Sequence, residues 1–162
     1  MVYWKCLLSL TILSKLIALA SIYTPVGWFH ASSLTLLICV SILGNVLTIF
    51  FKSTVGKYCN VSALTADVGN FMGHVVVTLI IAIVLVWKHG KSSDIMSWKH
   101  AGFSTGLVLG VGVLYFVLMM LGLVCSYGLD LKTQIWFAVA WVILALFATP
   151  FSLFVFNKKS YK

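Results

Sequence analysis

Asp67, Asn70, His74 and Thr78 are spaced by three, four and four residues, the interval that lines side chains along one face of an α-helix. An acid, a carboxamide, an imidazole and a hydroxyl on one face could relay protons, hold a solute or bond to a neighbouring helix. Lys15 sits in a different apolar stretch, nine residues beyond Cys6, which is about 14 Å along a helix. A lysine near the middle of a bilayer costs about 2.5–3.5 kcal/mol on insertion scales, so it needs a partner or a route to water. Two pairings are expected: Lys15 with Asp67, or Lys15 with His74 and Asn45. The competing expectation is structural. Lys15 would then snorkel along its own helix, and the stripe would join helices by hydrogen bonds.

Other chemistry finds few players. Asp67, Asp94 and Asp130 are the only acids, and there is no glutamate and no arginine. Paired carboxylates for acid–base work are missing, as are HExxH, CxxCH and CxxC spacings. Cys6, Cys39, Cys59 and Cys125 are scattered, three of them within apolar runs where cysteine serves as a small hydrophobe. No catalytic residue, metal site or cofactor is expected. A bis-histidine haem would need His74 beside His100 or His30, which the chain order places near opposite membrane surfaces.

The elements that must position these groups follow from the solvent. The 162 residues are 62% hydrophobic and 9% charged, with a mean hydropathy of +1.11. A soluble domain is about half apolar and about a quarter charged, so a bilayer is the solvent here. Five apolar runs are predicted to span it, at about 6–23, 31–51, 66–87, 101–125 and 134–156. Their lengths match the roughly 20 residues a spanning helix requires, and backbone groups in lipid must be bonded internally. The expected fold is all-α, a polytopic five-helix membrane bundle with short loops and no soluble domain. The first run resembles a signal peptide in part, but Lys15 interrupts its apolar core, so it is expected to remain as a helix.

The net charge of +8 comes entirely from lysine. Lysines at helix ends facing lipid headgroups account for it, and no clustered, arginine-bearing face suits a nucleic acid. The tripeptide Trp-Lys-His occurs at 87–89 and again at 98–100. Tryptophan favours the headgroup level, and lysine there can reach water, so each copy marks a helix end on the same membrane surface. Tyr3-Trp4-Lys5 and Asn157-Lys158-Lys159 are read the same way. Six lysines on the Trp-Lys-His side against four opposite mildly favour a cytosolic C-terminus, while the first helix alone argues the reverse. Orientation stays open. Asn60-Val61-Ser62 is a glycosylation sequon in a short loop close to the membrane.

Small residues bear on packing. Gly102, Gly106 and Gly110 repeat every four residues, and Gly69 and Gly73 form a single such pair. This spacing lets two helix backbones approach closely. The third span is expected to pack its glycine face on the fourth and to turn its polar stripe towards the first two. Ser41, Asn45, Thr48 and Lys52 form a matching polar row on the second span. Pro150 removes a hydrogen bond to Leu146 and is expected to kink the last span.

Gly27-Trp28 before the second run, Asp67 opening the third and Tyr115 within the fourth resemble the MARVEL tetraspan group. That resemblance covers the first four runs and implies membrane apposition or vesicle sorting; the fifth run departs from it. The residues themselves point to a non-enzymatic scaffold or accessory subunit of a larger membrane complex. Its partners would be the lipid bilayer and other membrane chains or a second copy, in an endomembrane or the plasma membrane. The alternative is a small transporter or channel with a polar pathway around Lys15, Asp67 and His74. A third possibility is an intramembrane enzyme acting on lipid.

Overall fold

The computed structural model describes residues 10–60, 62–90 and 98–156, apart from the side chains of residues 59, 63, 65 and 66. Every regular element among them is helical. They are α1 (Leu10–Ile22), α2 (Gly27–Phe50), α3 (Lys52–Cys59), α4 (Ala63–Asn70), α5 (Val77–His89), α6 (Trp98–Met120) and α7 (Leu131–Phe156), with a π-helical segment at Phe71–Val76 joining α4 to α5. Four helices are long and apolar enough to cross a membrane: Gly27–Phe50, Asp67–His89, Trp98–Met120 and Leu131–Phe156. α1 is apolar but shorter. The remainder of the first predicted span, with Lys5 and Cys6, lies outside the described residues, as do Lys91, Asp94 and the tail from Asn157.

Boundaries shift for local reasons. α2 starts at Gly27, directly after Val26, whose backbone is extended. The fourth span ends at Met120 rather than Cys125, because Gly122 adopts a φ of 68° and reverses the chain. α7 begins at Leu131, three residues earlier than the apolar pattern. Asp130 caps it: its Oδ1 accepts the Thr133 N–H at 2.8 Å. The Thr133 hydroxyl, and then its backbone N–H, hold this carboxyl below its ordinary value of 3.8. The cap therefore contributes fully above that value and fades as pH falls through the lowered one. In an Asp130→Ala variant, the melting temperature should be reduced at neutral pH. The difference from wild type should close as pH falls through that lowered value, as followed by circular dichroism in detergent. Pro150 sits inside α7, which runs unbroken to Phe156.

α2 is the central helix. Its residues Ala31–Leu37 are all buried, and it packs against α1, α5, α6 and α7. α5 lies on α1 and α2, whereas α6 lies on α2 and α7. One apolar cluster joins Ala18, Leu34, Leu37, Leu85 and Phe156; the other joins Leu36, Cys39, Val108, Trp141 and Ala145. Hydroxyls bind the centre to its neighbours. Ser32 Oγ donates to Ser104 Oγ at 3.1 Å and Thr35 Oγ1 donates to Ser152 Oγ at 2.9 Å. Where lipid is as apolar as leucine, such bonds and close packing hold helices together.

The expectation that the third span packs its glycines on the fourth is corrected. α5 and α6 sit on different sides of α2. Gly102, Gly106 and Gly110 lie roughly 200° around α6 from the buried Ser104 and Val108, at about 100° per residue. Nothing stands within 4 Å of a Cβ built at any of these three, nor at Gly69 or Gly73. The Gly102–Gly110 ridge faces outward from the bundle, and the Gly69–Gly73 pair has nothing packed on it.

Candidate functional site

The polar stripe of the third span meets the polar row of α2 rung by rung. Lys52 Nζ pairs with Asp67 Oδ2 at 2.5 Å. One turn further in, Thr48 Oγ1 lies 2.8 Å from Asn70 Oδ1, and Asn70 Nδ2 donates to Asn45 Oδ1 at 3.0 Å. Asn45 Nδ2 donates back to the Ser41 carbonyl at 2.7 Å, and Ser41 Oγ donates to the His74 carbonyl at 2.5 Å. The two helices run antiparallel, so their matched spacings bring these groups level. Each carboxamide is used on both its ends, with one N–H and one lone pair of each still uncommitted.

The Lys15–Asp67 pairing is overturned. Asp67 finds Lys52 at the same membrane surface, where both side chains are about half exposed. Such an exposed pair contributes about 0–1 kcal/mol. Lys15 instead folds back along its own helix, its Nζ donating to the Thr11 carbonyl at 3.4 Å. Thr11 Oγ1 is also 3.5 Å from His74 Nε2, so Lys15 and His74 share a neighbour without forming a bond. Thr78 is buried and donates to the Gly73 carbonyl of its own span at 3.2 Å.

His74 lies in the π-helical segment, where the Val77 N–H reaches back five residues to the Met72 carbonyl. Widened turns of this kind recur at functional positions. Its imidazole is seated on Gly44 of α2, where an added Cβ would overlap the ring. Nδ1 is buried there with no hydrogen-bond partner. A bare ring acceptor is less costly to bury than an unbonded N–H, which favours the tautomer carrying its proton on Nε2, towards Thr11. In an Asn70→Leu variant, the loss of its bonds to Asn45 and Thr48 is expected to reduce stability by about 0.6–1.7 kcal/mol, the measured range for hydrogen bonds between membrane helices. Thermal unfolding in one fixed detergent checks this.

Beside the ladder lies a cavity of about 260 Å³. Its walls come from α2 (Val40, Leu43, Leu47), α6 (Tyr115, Phe116) and α7 (Phe137, Trp141), with Leu10, Asn70 and His74 closing one flank. Neither Lys15 nor Asp67 lines it. A second close approach shapes this wall: Trp141 lies on Gly112, where a Cβ would overlap the indole, and its Nε1 donates to the Val108 carbonyl at 3.1 Å.

At the other end of the bundle, a contact that the sequence reading missed joins His89 of the first Trp-Lys-His to His30 of α2. The rings stack with centroids 3.8 Å apart and planes 22° apart, against Phe156. His89 Nε2 bonds the Ile22 carbonyl at 2.9 Å and His30 Nε2 bonds the Thr24 carbonyl at 2.8 Å. Carbonyls only accept, so both rings carry hydrogen on Nε2. The pair clasps α5 and α2 to the turn after α1. Trp87 and Trp98 are highly exposed, and His100 opens α6 without joining the stack. Among the described residues no group of three histidine, cysteine or acidic side chains could hold a metal ion. Asn60 is exposed in a left-handed conformation at the end of α3, with φ 53°.

The fold and these contacts define a helical membrane bundle whose intramembrane polar groups are largely bonded to one another. No family model, curated protein or solved structure matches this chain.

Proposed function

We propose that this is a non-enzymatic membrane protein that works through lateral contacts, as a scaffold or accessory subunit of a larger membrane complex. The observation that carries the reading is the glycine ridge of α6. Gly102, Gly106 and Gly110 form a flat strip with nothing against it, while α6 turns Ser104 and Val108 inward to α2 and α7. A strip of that spacing lets a second helix approach closely enough for backbone contacts. The polar ladder supports the same reading over transport, since its amides and hydroxyls bond to one another.

The test is Gly106→Ile in the full chain. With no atom near the site, the bundle's own stability should change by less than about 0.5 kcal/mol. In mild detergent the wild type should migrate as a complex larger than a monomer and the variant as a monomer. Co-expression of two differently tagged copies separates self-association from a different partner. A wild-type monomer whose melting temperature rises with an added solute would overturn the proposal in favour of transport.

A further inference from the structure

We infer that the cavity between α2, α6 and α7 is a binding site for the acyl chain of a membrane phospholipid. It is large for an empty space. At about 260 Å³ it exceeds the roughly 150 Å³ cavity that suffices elsewhere to bind benzene. An apolar recess of this size leaves its lining short of packing partners unless a hydrocarbon fills it.

Water is a poor occupant. A buried water needs two to four polar partners, and the polar groups of this wall are engaged elsewhere. Thr48 and Asn70 bond to each other, and the Trp141 indole N–H is held by the Val108 carbonyl. Gln134 Nε2 donates to the Leu129 carbonyl at 2.7 Å, and the Tyr115 hydroxyl donates to the Cys125 carbonyl at 3.3 Å. The unbonded His74 Nδ1 is pressed against Gly44 instead of facing the void. What remains towards the space is mainly the flat and aliphatic sides of Val40, Leu43, Leu47, Phe116 and Phe137.

Hydrocarbon is therefore the fitting occupant, and its form follows from the cavity's orientation. The wall runs from Val40 to Leu47 on α2, from Gly112 to Met119 on α6 and from Gln134 to Trp141 on α7. Each stretch covers eight residues, or about 10 Å along the bundle axis. A space elongated along the membrane normal matches an acyl chain of the surrounding leaflet. Such a chain needs no hydrogen bond at its buried end, whereas a sterol would bring a hydroxyl for which this wall holds little to offer.

The experiment uses the full chain in phosphatidylcholine vesicles containing phosphatidylcholine with a diazirine midway along one acyl chain. After illumination, adducts are expected on the stretches 40–47 and 112–119. Ala138→Trp, which projects an indole into the space, should reduce those adducts at least tenfold while leaving the melting temperature equal or higher. Leu47→Phe provides a second filler should Ala138→Trp fail to fold. Adducts confined to outward residues such as Phe103 and Val113, or unchanged labelling in both fillers, would overturn the inference. So would a diazirine sterol that labels the same stretches and is not displaced by excess phosphatidylcholine.

Discussion

Gly44→Ala is expected to destabilise the bundle by about 1–3 kcal/mol, the usual range for forcing atoms into packed space. The sign is informative, because alanine is favoured over glycine inside a helix by about 1 kcal/mol. A loss would mean that the contact outweighs the propensity gain. The contact is the His74 imidazole, which occupies the place where a Cβ at position 44 would stand. It cannot slide away freely, since the His74 carbonyl is held by Ser41 and its Nε2 faces Thr11. The decisive measurement is a double-mutant cycle with His74→Ala. With the ring removed, Gly44→Ala should become neutral or stabilising, giving a coupling above about 1 kcal/mol, as contacting residues do. Strict additivity of the two substitutions would show that the ring does not rest on Gly44.

The ladder on which that ring sits was legible beforehand in its spacing but not in its pairing. Two rows of polar residues at helical intervals, in adjacent antiparallel spans, have little choice but to face each other in lipid. Ser41, Asn45 and Thr48 do meet His74 and Asn70. Asp67 is one of two partners expected for Lys15, because a buried charge demands one. Depth decided otherwise: Lys52 stands at the same surface, and the flexible stem of Lys15 lets its ammonium reach back one turn to a carbonyl. Hydropathy conveys how deep a residue lies in the bilayer but not which neighbour shares that depth.

The glycines show the same limit. A four-residue repeat announces that close approach is possible without saying to what, and no part of the chain packs on the ridges at Gly69–Gly73 and Gly102–Gly110. Two glycines that permit close contacts between the spans, Gly44 and Gly112, belong to no pair spaced by four. Each admits an aromatic ring, not a second backbone. Nothing in a one-dimensional pattern distinguishes those two from the other glycines. The His30–His89 stack was illegible for a related reason. The two Trp-Lys-His copies do fall at helix ends, closing α5 and opening α6, but the first copy's histidine meets a partner fifty-nine residues away only once α2 and α5 are packed.

Trp141→Ala should carry the largest penalty of any single change considered, about 3–5 kcal/mol for removing a buried tryptophan from a core. Trp141 is 5% exposed and belongs to the cluster joining α2, α6 and α7. Three losses coincide at this position: ring packing on Gly112, the bond from Nε1 to the Val108 carbonyl, and one wall of the cavity. Trp141→Phe separates them. Phenylalanine retains much of the ring but not the donor, so it should cost only about 0.6–1.7 kcal/mol, the range for one hydrogen bond between membrane helices. Urea-free thermal unfolding in a single detergent ranks the variants. Equal losses for alanine and phenylalanine would assign the anchoring to the indole N–H. The expected gap of about 1–4 kcal/mol, the difference between those two ranges, would assign it to the ring. Because Gly112 exists to receive that ring, Gly112→Ala should be harmful in the wild type and tolerated once Trp141 is alanine. The packing of α6 and α7 would then rest on one aromatic side chain fitted against one missing methyl group.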